Sequence, residues 1–126
     1  MRLLLDTHAL IWFLMGNERM SPSARAAIQD PSNEVTASAV SGYEAAFKVR
    51  QGKLDFAVID ELPRMLRQAR IGVLAITLDH ALAAGRLPGP HRDPWDRILM
   101  AQAASEGLRV VTVDPVFADY GVPTFW

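Results

Sequence analysis

Apolar positions along the chain fall into short runs that alternate with longer mixed stretches. Arg2–Asp6 is an apolar run closed by a carboxylate, and its length is that of a buried strand. His8–Met15 is apolar on every side, too much so for a surface helix, and is predicted to pack between layers. Ser21-Pro22 opens a helix reaching about Asp30, and Glu34–Ser38 forms a second short strand. Ser41 begins a helix to about Gln51, with Gly52 as its stop. Val58–Arg70 reads as a helix kinked or broken at Pro63. Gly72–Thr77 is a strand, Asp79–Gly85 a short helix and Leu87–Arg92 a loop of prolines and glycine. Pro94–Glu106 is a helix halted by Gly107, Arg109–Val113 a strand running to Asp114, and Pro123–Trp126 a last strand after a brief turn. Strands alternating with helices predict an α/β layer fold with a mainly parallel sheet. No linker, low-complexity segment or solenoid repeat interrupts it, so residues 1–126 read as one domain.

Composition narrows the possible chemistry. The absence of cysteine excludes a disulfide framework, a thiolate zinc site and a cysteine nucleophile, and it agrees with a reducing cytoplasm. The net charge of −1 provides no global basic field, so a polyanionic substrate needs a local basic patch or a metal ion. The apolar N-terminal run is not a secretion signal. Asp6 and His8 interrupt it, and Gly16-Asn17-Glu18-Arg19 is no small-residue cleavage site. No apolar stretch reaches the ~18 residues of a membrane span. A soluble, unprocessed, cytoplasmic protein with no membrane partner is expected.

Several acids stand where local structure and chemistry both have a use for them. Asp6 ends the first strand, and ligands of parallel α/β sheets sit beyond the carboxyl ends of strands; it also suits the cap of the next helix. Asp114 ends a later strand in the same way, and with Pro115 it equally makes a turn. Ser41-x-x-Glu44 has capping-box spacing. On a helical wheel, however, Glu44 falls beside Val40 and Phe47, in an apolar stripe Val40, Tyr43, Phe47, and is predicted to point inward. HRDPWDRILM places Asp93 at an N-cap before Pro94 and Asp96 at the third helical position, beside Leu99, Met100 and Ala103. Read separately, these acids are caps. Read together, they form one acidic cluster drawn from four elements. Like charges in one cleft raise each other's pKa unless a cation compensates. Hard oxygen ligands select Mg²⁺ or Mn²⁺ over zinc, and such an open site suits phosphodiester hydrolysis.

LLLDTHALIW, SAVSGYEAAFKVRQGKL, HRDPWDRILMAQA and VVTVDPVF resemble, nearly end to end, the PIN-domain ribonucleases, specifically VapC-type toxins of type II toxin–antitoxin pairs. The resemblance implies a Rossmann-like α/β/α sandwich. It implies that Asp6, Glu44, Asp96 and Asp114 form an acidic quartet around Mg²⁺ or Mn²⁺, with Asp93 as the family's extra aspartate. Trp95 stands where phenylalanine is more usual, and Tyr43 where tryptophan is common; neither change touches a ligand. Thr7 and Thr112 flank the acids as expected hydrogen-bonding supports. Endoribonucleolytic cleavage by an activated water is implied, leaving 5′-phosphate and 3′-hydroxyl. Lys48, Arg50, Lys53, Arg92 and Arg97 are candidates for an RNA path, and His91 for phosphate contact or proton transfer; each is otherwise a solvated side chain. Members commonly form homodimers and bind a cognate antitoxin that blocks the site. The segments His8–Met15 and Val58–Arg70, with Trp12, Phe13, Ile59, Leu62 and Leu66, are the expected surface for it, unless they belong to the core or the dimer.

Other classes begin similarly. A haloacid-dehalogenase-type phosphatase also ends its first strand in Asp but wants a second Asp two residues on, where this chain has His8. A phosphorylation receiver wants an early acidic pair, absent here, and a phosphoacceptor for which Asp79 is the sole candidate. A PIN-like module that binds without cleaving is the third alternative, disfavoured because all four acids are present.

Overall fold

The computed structural model describes residues 1–126. Five strands, β1 (Arg2–Leu5), β2 (Glu34–Ser38), β3 (Gly72–Leu74), β4 (Arg109–Val111) and β5 (Thr124–Phe125), form one sheet in the order β3-β2-β1-β4-β5. Every pairing is parallel, with Leu3 beside both Val35 and Arg109. Seven helices connect and flank them: α1 (Thr7–Leu14), α2 (Pro22–Gln29), α3 (Ala39–Arg50), α4 (Phe56–Gln68), α5 (Leu78–Arg86), α6 (Pro94–Glu106) and α7 (Val116–Asp119).

Strand periodicity builds the two layers. Leu3, Leu4 and Leu5 of the central strand are completely buried, as a strand covered on both faces requires. Leu3 and Leu5 face α1, α2 and α4 in one core, whereas Leu4 faces α3, α6 and α7 in the other. The α/β/α sandwich expected from the sequence is the fold observed.

Several boundaries differ from expectation. The expected strand Gly72–Thr77 pairs only to Leu74, because β2 turns into α3 after Ser38 and leaves Ala75 without a neighbour. Arg109–Val113 likewise pairs only to Val111, opposite Leu5, where β1 ends. The last strand is shortened to Thr124–Phe125, and Val116–Asp119, read as a turn, is the short helix α7. α4 starts at Phe56, capped by Asp55, and runs through Pro63 without a break. Arg70, at φ 58°, turns the chain out of it.

α3 starts at Ala39 rather than Ser41, because the Ser38 hydroxyl accepts from Val40 N–H and caps it. The Ser41/Glu44 capping box does not form. α1 lies on one face of the sheet rather than between layers. Its first turns are buried, whereas Trp12 and Phe13 are half-buried, with the Arg19 and Arg25 guanidinium groups over their rings. Leu66, expected as partner surface, is core. No helix is long and apolar enough to cross a membrane.

Candidate active site at the carboxyl edge of the sheet

Parallel pairing brings the carboxyl ends of β1, β2 and β4 to one edge of the sheet. Asp6 follows β1 directly and serves two structures at once. Its Oδ1 accepts from Ala9 N–H at 2.7 Å, capping α1, and its Oδ2 accepts from the Thr112 hydroxyl just past β4. The residue is 6% exposed. Burial raises the pKa of its carboxyl, and Asp114 raises it further; the Thr112 and Ala9 hydrogen bonds and the charge of His8 pull it back. Asp114 itself is exposed. Its N–H donates to Thr112 Oγ1, and its Oδ1 accepts from Val116 N–H, so it is also the turn former that Asp114-Pro115 suggests.

The second acidic pair comes from α3 and α6. Asp93 caps α6 by accepting from Trp95 and Asp96 N–H. Asp96, one turn in, contacts His91 Nε2 at 2.9 Å through its Oδ2. Burial pushes its pKa up from 3.8 to about 6; the His91 hydrogen bond opposes this, while Asp93 and Glu44 add to it. Glu44 is buried, as expected, but in different company. The buried arc of α3 is Val40, Ser41, Glu44 and Ala45, whereas Tyr43 is 62% and Phe47 36% exposed. The stripe read from Val40, Tyr43 and Phe47 was therefore rotated: Glu44 sits inside the buried arc and the two rings at its rim.

Lys48 ties α3 to α1 beside these acids. Its Nζ lies 2.8 Å from Glu44 Oε2, one helical turn back, and 3.2 Å from His8 Nε2 on α1. A cation thus compensates the buried Glu44, as a carboxylate at this depth requires. No three of the histidines and acids converge at the spacing that ligates one ion. Asp114 acts on Asp6 and Glu44 on Asp96 through their charges, while Lys48 contacts Glu44 and His8. The donor chemistry nevertheless fits a hard divalent cation. All four ligand candidates are carboxylates, and the Asp6 and Asp96 carboxyls are held up by desolvation that a bound cation would offset.

Other expected site residues have different roles. Thr112 supports Asp6 as anticipated, but the Thr7 hydroxyl donates to Ser41 Oγ at 2.9 Å and ties α1 to α3 instead of holding an acid. Arg97 is committed to backbone: Nε donates to Ala84 C=O, Nη1 to His91 C=O and Nη2 to Leu87 C=O. With its donors spent on the end of α5 and on the loop that follows, the guanidinium is not turned to an RNA path. Arg50, Lys53 and Arg92 are exposed.

Two positioning features escaped the sequence reading. Tyr120 Oη accepts from His91 N–H at 2.9 Å and fixes the residue that meets Asp96. Gly89, at φ 102°, makes room for it: a Cβ there would lie 2.5 Å from Tyr120 Oη. A glycine between two prolines signals a tight loop, but nothing local names a tyrosine 31 residues later. His8 escaped the sequence reading too: its ring meets Lys48 at 3.2 Å, and its place two positions after Asp6 was the only signal.

The chain is similar to several known proteins. A PIN-domain family model matches residues 3–123. Ribonuclease VapC22 of Mycobacterium tuberculosis (strain ATCC 25618 / H37Rv) is 32% identical over 114 residues, covering 88% of this chain and 85% of that protein. Similar solved structures include VapBC2 from Rickettsia felis bound to a DNA fragment from their promoter, with TM-score 0.75 and 16% identity over 99% of this chain and 98% of that one. DNA-bound VapBC from Salmonella typhimurium gives TM-score 0.69 and 19% identity, covering 99% and 97%. At these identities the two structures show the shared fold.

Proposed function

The chain belongs to the PIN-domain family, and we propose that it is an endoribonuclease toxin that hydrolyses RNA phosphodiester bonds and is neutralised by a cognate antitoxin. The observation that supports this reading is that Asp6 and Asp114 follow β1 and β4 at the carboxyl edge of the sheet, where parallel α/β folds bind ligands, while Glu44 and Asp96 lie on the helices α3 and α6 that pack against each other. PIN-domain nucleases generally depend on a divalent metal. Asp6, Asp96, Glu44 and Asp114 are the residues that would hold Mg²⁺ or Mn²⁺ here, and such an ion, when bound, supplies Lewis acidity and neutralises phosphate charge.

The chain's own residues prepare that site. Ala9 N–H and the Thr112 hydroxyl hold both Asp6 oxygens, so its rotamer is fixed before substrate arrives. Asp93 anchors the first turn of α6, and His91, held by Tyr120, aims Asp96. Lys48 lies at the acids with a charge suited to a phosphate oxygen. Water attacks phosphorus and the P–O3′ bond breaks, giving 5′-phosphate and 3′-hydroxyl ends with no protein nucleophile.

Support for the partner comes from the structural neighbours, which are VapBC assemblies. A VapB-type antitoxin and a homodimer belong to this reading, with half-buried Trp12 and Phe13 of α1 as the surface offered to the antitoxin. The test is RNA digestion by purified protein with Mg²⁺ or Mn²⁺, with EDTA, and with Asp96→Asn. Cleavage by the wild type with metal, stopped by EDTA and lost in the variant, is expected. Cleavage by Asp96→Asn purified free of wild type would overturn the site assignment.

A further inference from the structure

Three aromatic rings crowd together on the outside of the protein, next to the acids. Tyr43 and Phe47, one turn apart on α3, are stacked within 13° of parallel with centroids 6.4 Å apart. Trp95, in the first turn of α6, lies 6.2 Å from Tyr43 and 5.6 Å from Phe47. Ordinary burial does not account for this cluster, since Tyr43 remains 62% exposed. Its position is fixed by the backbone of the site. Phe47 stands one turn beyond Glu44 and beside Lys48, which meets that carboxylate, and Trp95 shares the first turn of α6 with Asp96. Whatever docks on the rings therefore lies beside the carboxylates assigned to the scissile phosphate.

The surrounding charge points to the occupant. Lys48 follows Phe47 and reaches the acids, and Arg50 and Lys53 are exposed at the end of the same helix. Aromatic faces interleaved with cations are the chemistry that holds single-stranded nucleic acid, where bases stack and phosphates pair.

We propose that Tyr43, Phe47 and Trp95 form a stacking platform for an unpaired base adjoining the cleaved phosphodiester. The RNA is then engaged as a single strand, in a loop or open segment, and not as a duplex. This rests on the ribonuclease reading above. Tyr43 supplies the outermost ring face, and the platform tolerates any base because every base has a π-face.

The experiment measures binding by fluorescence anisotropy in an Asp6→Asn background, so that no probe is cut. The probes are a labelled single-stranded RNA of mixed sequence and a matched RNA duplex. Tyr43→Ala is expected to weaken single-strand binding about tenfold, within the range of one lost base–aromatic stack. Duplex binding should not change, and Tyr43→Phe should bind like tyrosine. In the otherwise wild-type enzyme, Tyr43→Ala should raise KM for single-stranded RNA more than it lowers kcat. Unchanged single-strand binding overturns the proposal, as does an equal loss for the duplex. A loss that tracks a change from dimer to monomer in light scattering assigns the rings to a second copy and also overturns it. So does unaltered RNA binding with weakened antitoxin binding. Failure of the wild type to cut any RNA with metal would strike the ribonuclease reading instead, and these binding measurements would still decide whether the rings hold a base.

Discussion

Asp96 concentrates the electrostatic cost of the site in one side chain. Its carboxyl pKa is 3.8 when unfolded and about 6 when folded. Between those values the native chain keeps a proton that the unfolded chain has released. Stability therefore falls as pH rises from about 4 to about 6, and the full cost persists above that. The shift corresponds to roughly 2–3 kcal/mol. In Asp96→Asn the amide oxygen still accepts from His91, while the buried charge is gone. Urea melts with EDTA present should show the variant more stable than wild type by about that amount at pH 8, with the advantage nearly gone at pH 4. A gain independent of pH would mean that the charge is not its source. The same substitution is expected to abolish cleavage, a stability–function exchange in one residue. Asp6 and Asp96 were legible in the sequence because each ends a strand or opens a helix on the core side. The surroundings of Glu44 were not: a helical wheel gives angles between side chains but not where the sheet lies, and an error of one step placed Tyr43 and Phe47 inside.

At the scale of elements, Arg97 separates two readings of a basic residue near an acidic site. Its guanidinium pins the loop between α5 and α6 through the carbonyls of Ala84, Leu87 and His91. Lysine cannot supply this planar set of donors. Arg97→Lys is expected to lower unfolding stability by about 1–3 kcal/mol in denaturant titrations, and to lower cleavage through the loosened His91. A residue that only met phosphate would leave stability unchanged and alter the salt dependence of RNA binding. Helix existence and order were readable from capping and periodicity: Pro22, Asp93 and Gly107 all stand at the ends they announce. Strand ends were not, because a strand stops where its neighbour stops. Ala75–Thr77 and Thr112–Val113 have strand-like composition but lie beyond the last residue of β2 and of β1 that pairs with their strands. Ser38, not Ser41, caps α3 for a similar reason: the cap belongs to the residue at which β2 leaves the sheet.

For the molecule as a whole, the acidic edge couples metal affinity to folding. A cation bound by the native state alone stabilises it by mass action, about 2.7 kcal/mol at a hundredfold excess over Kd. For a domain of this size that is a rise in Tm on the order of 10 °C. Thermal melts at pH 7.5 should show such a rise with Mg²⁺ or Mn²⁺ over EDTA, and a smaller one in Asp6→Asn. A wild-type Tm indifferent to saturating metal would remove the carboxylates from the role of ligands. The fold class came through from sequence because strands and helices alternate, and Asp6 and Asp114 were visible because each follows a strand. The salt bridge from Lys48 to Glu44 and its contact with His8 did not, since they depend on how α1 leans against α3.

The hydrogen bond from Thr112 to Asp6 joins positions 106 apart in the chain. β1 is the earliest strand to be synthesised, yet it is the centre of the sheet, and β4 must exist before its second edge can close. Contacts of such long separation form late. During translation, Asp6 emerges from the ribosome long before Asp96, Thr112 and Asp114 are made. A nascent chain therefore carries Asp6, and then Glu44, without the later residues that complete the proposed site. Assembly from both ends of the polypeptide acts as a timing device: activity waits until synthesis is nearly finished, which leaves an interval in which a newly made partner can arrive first.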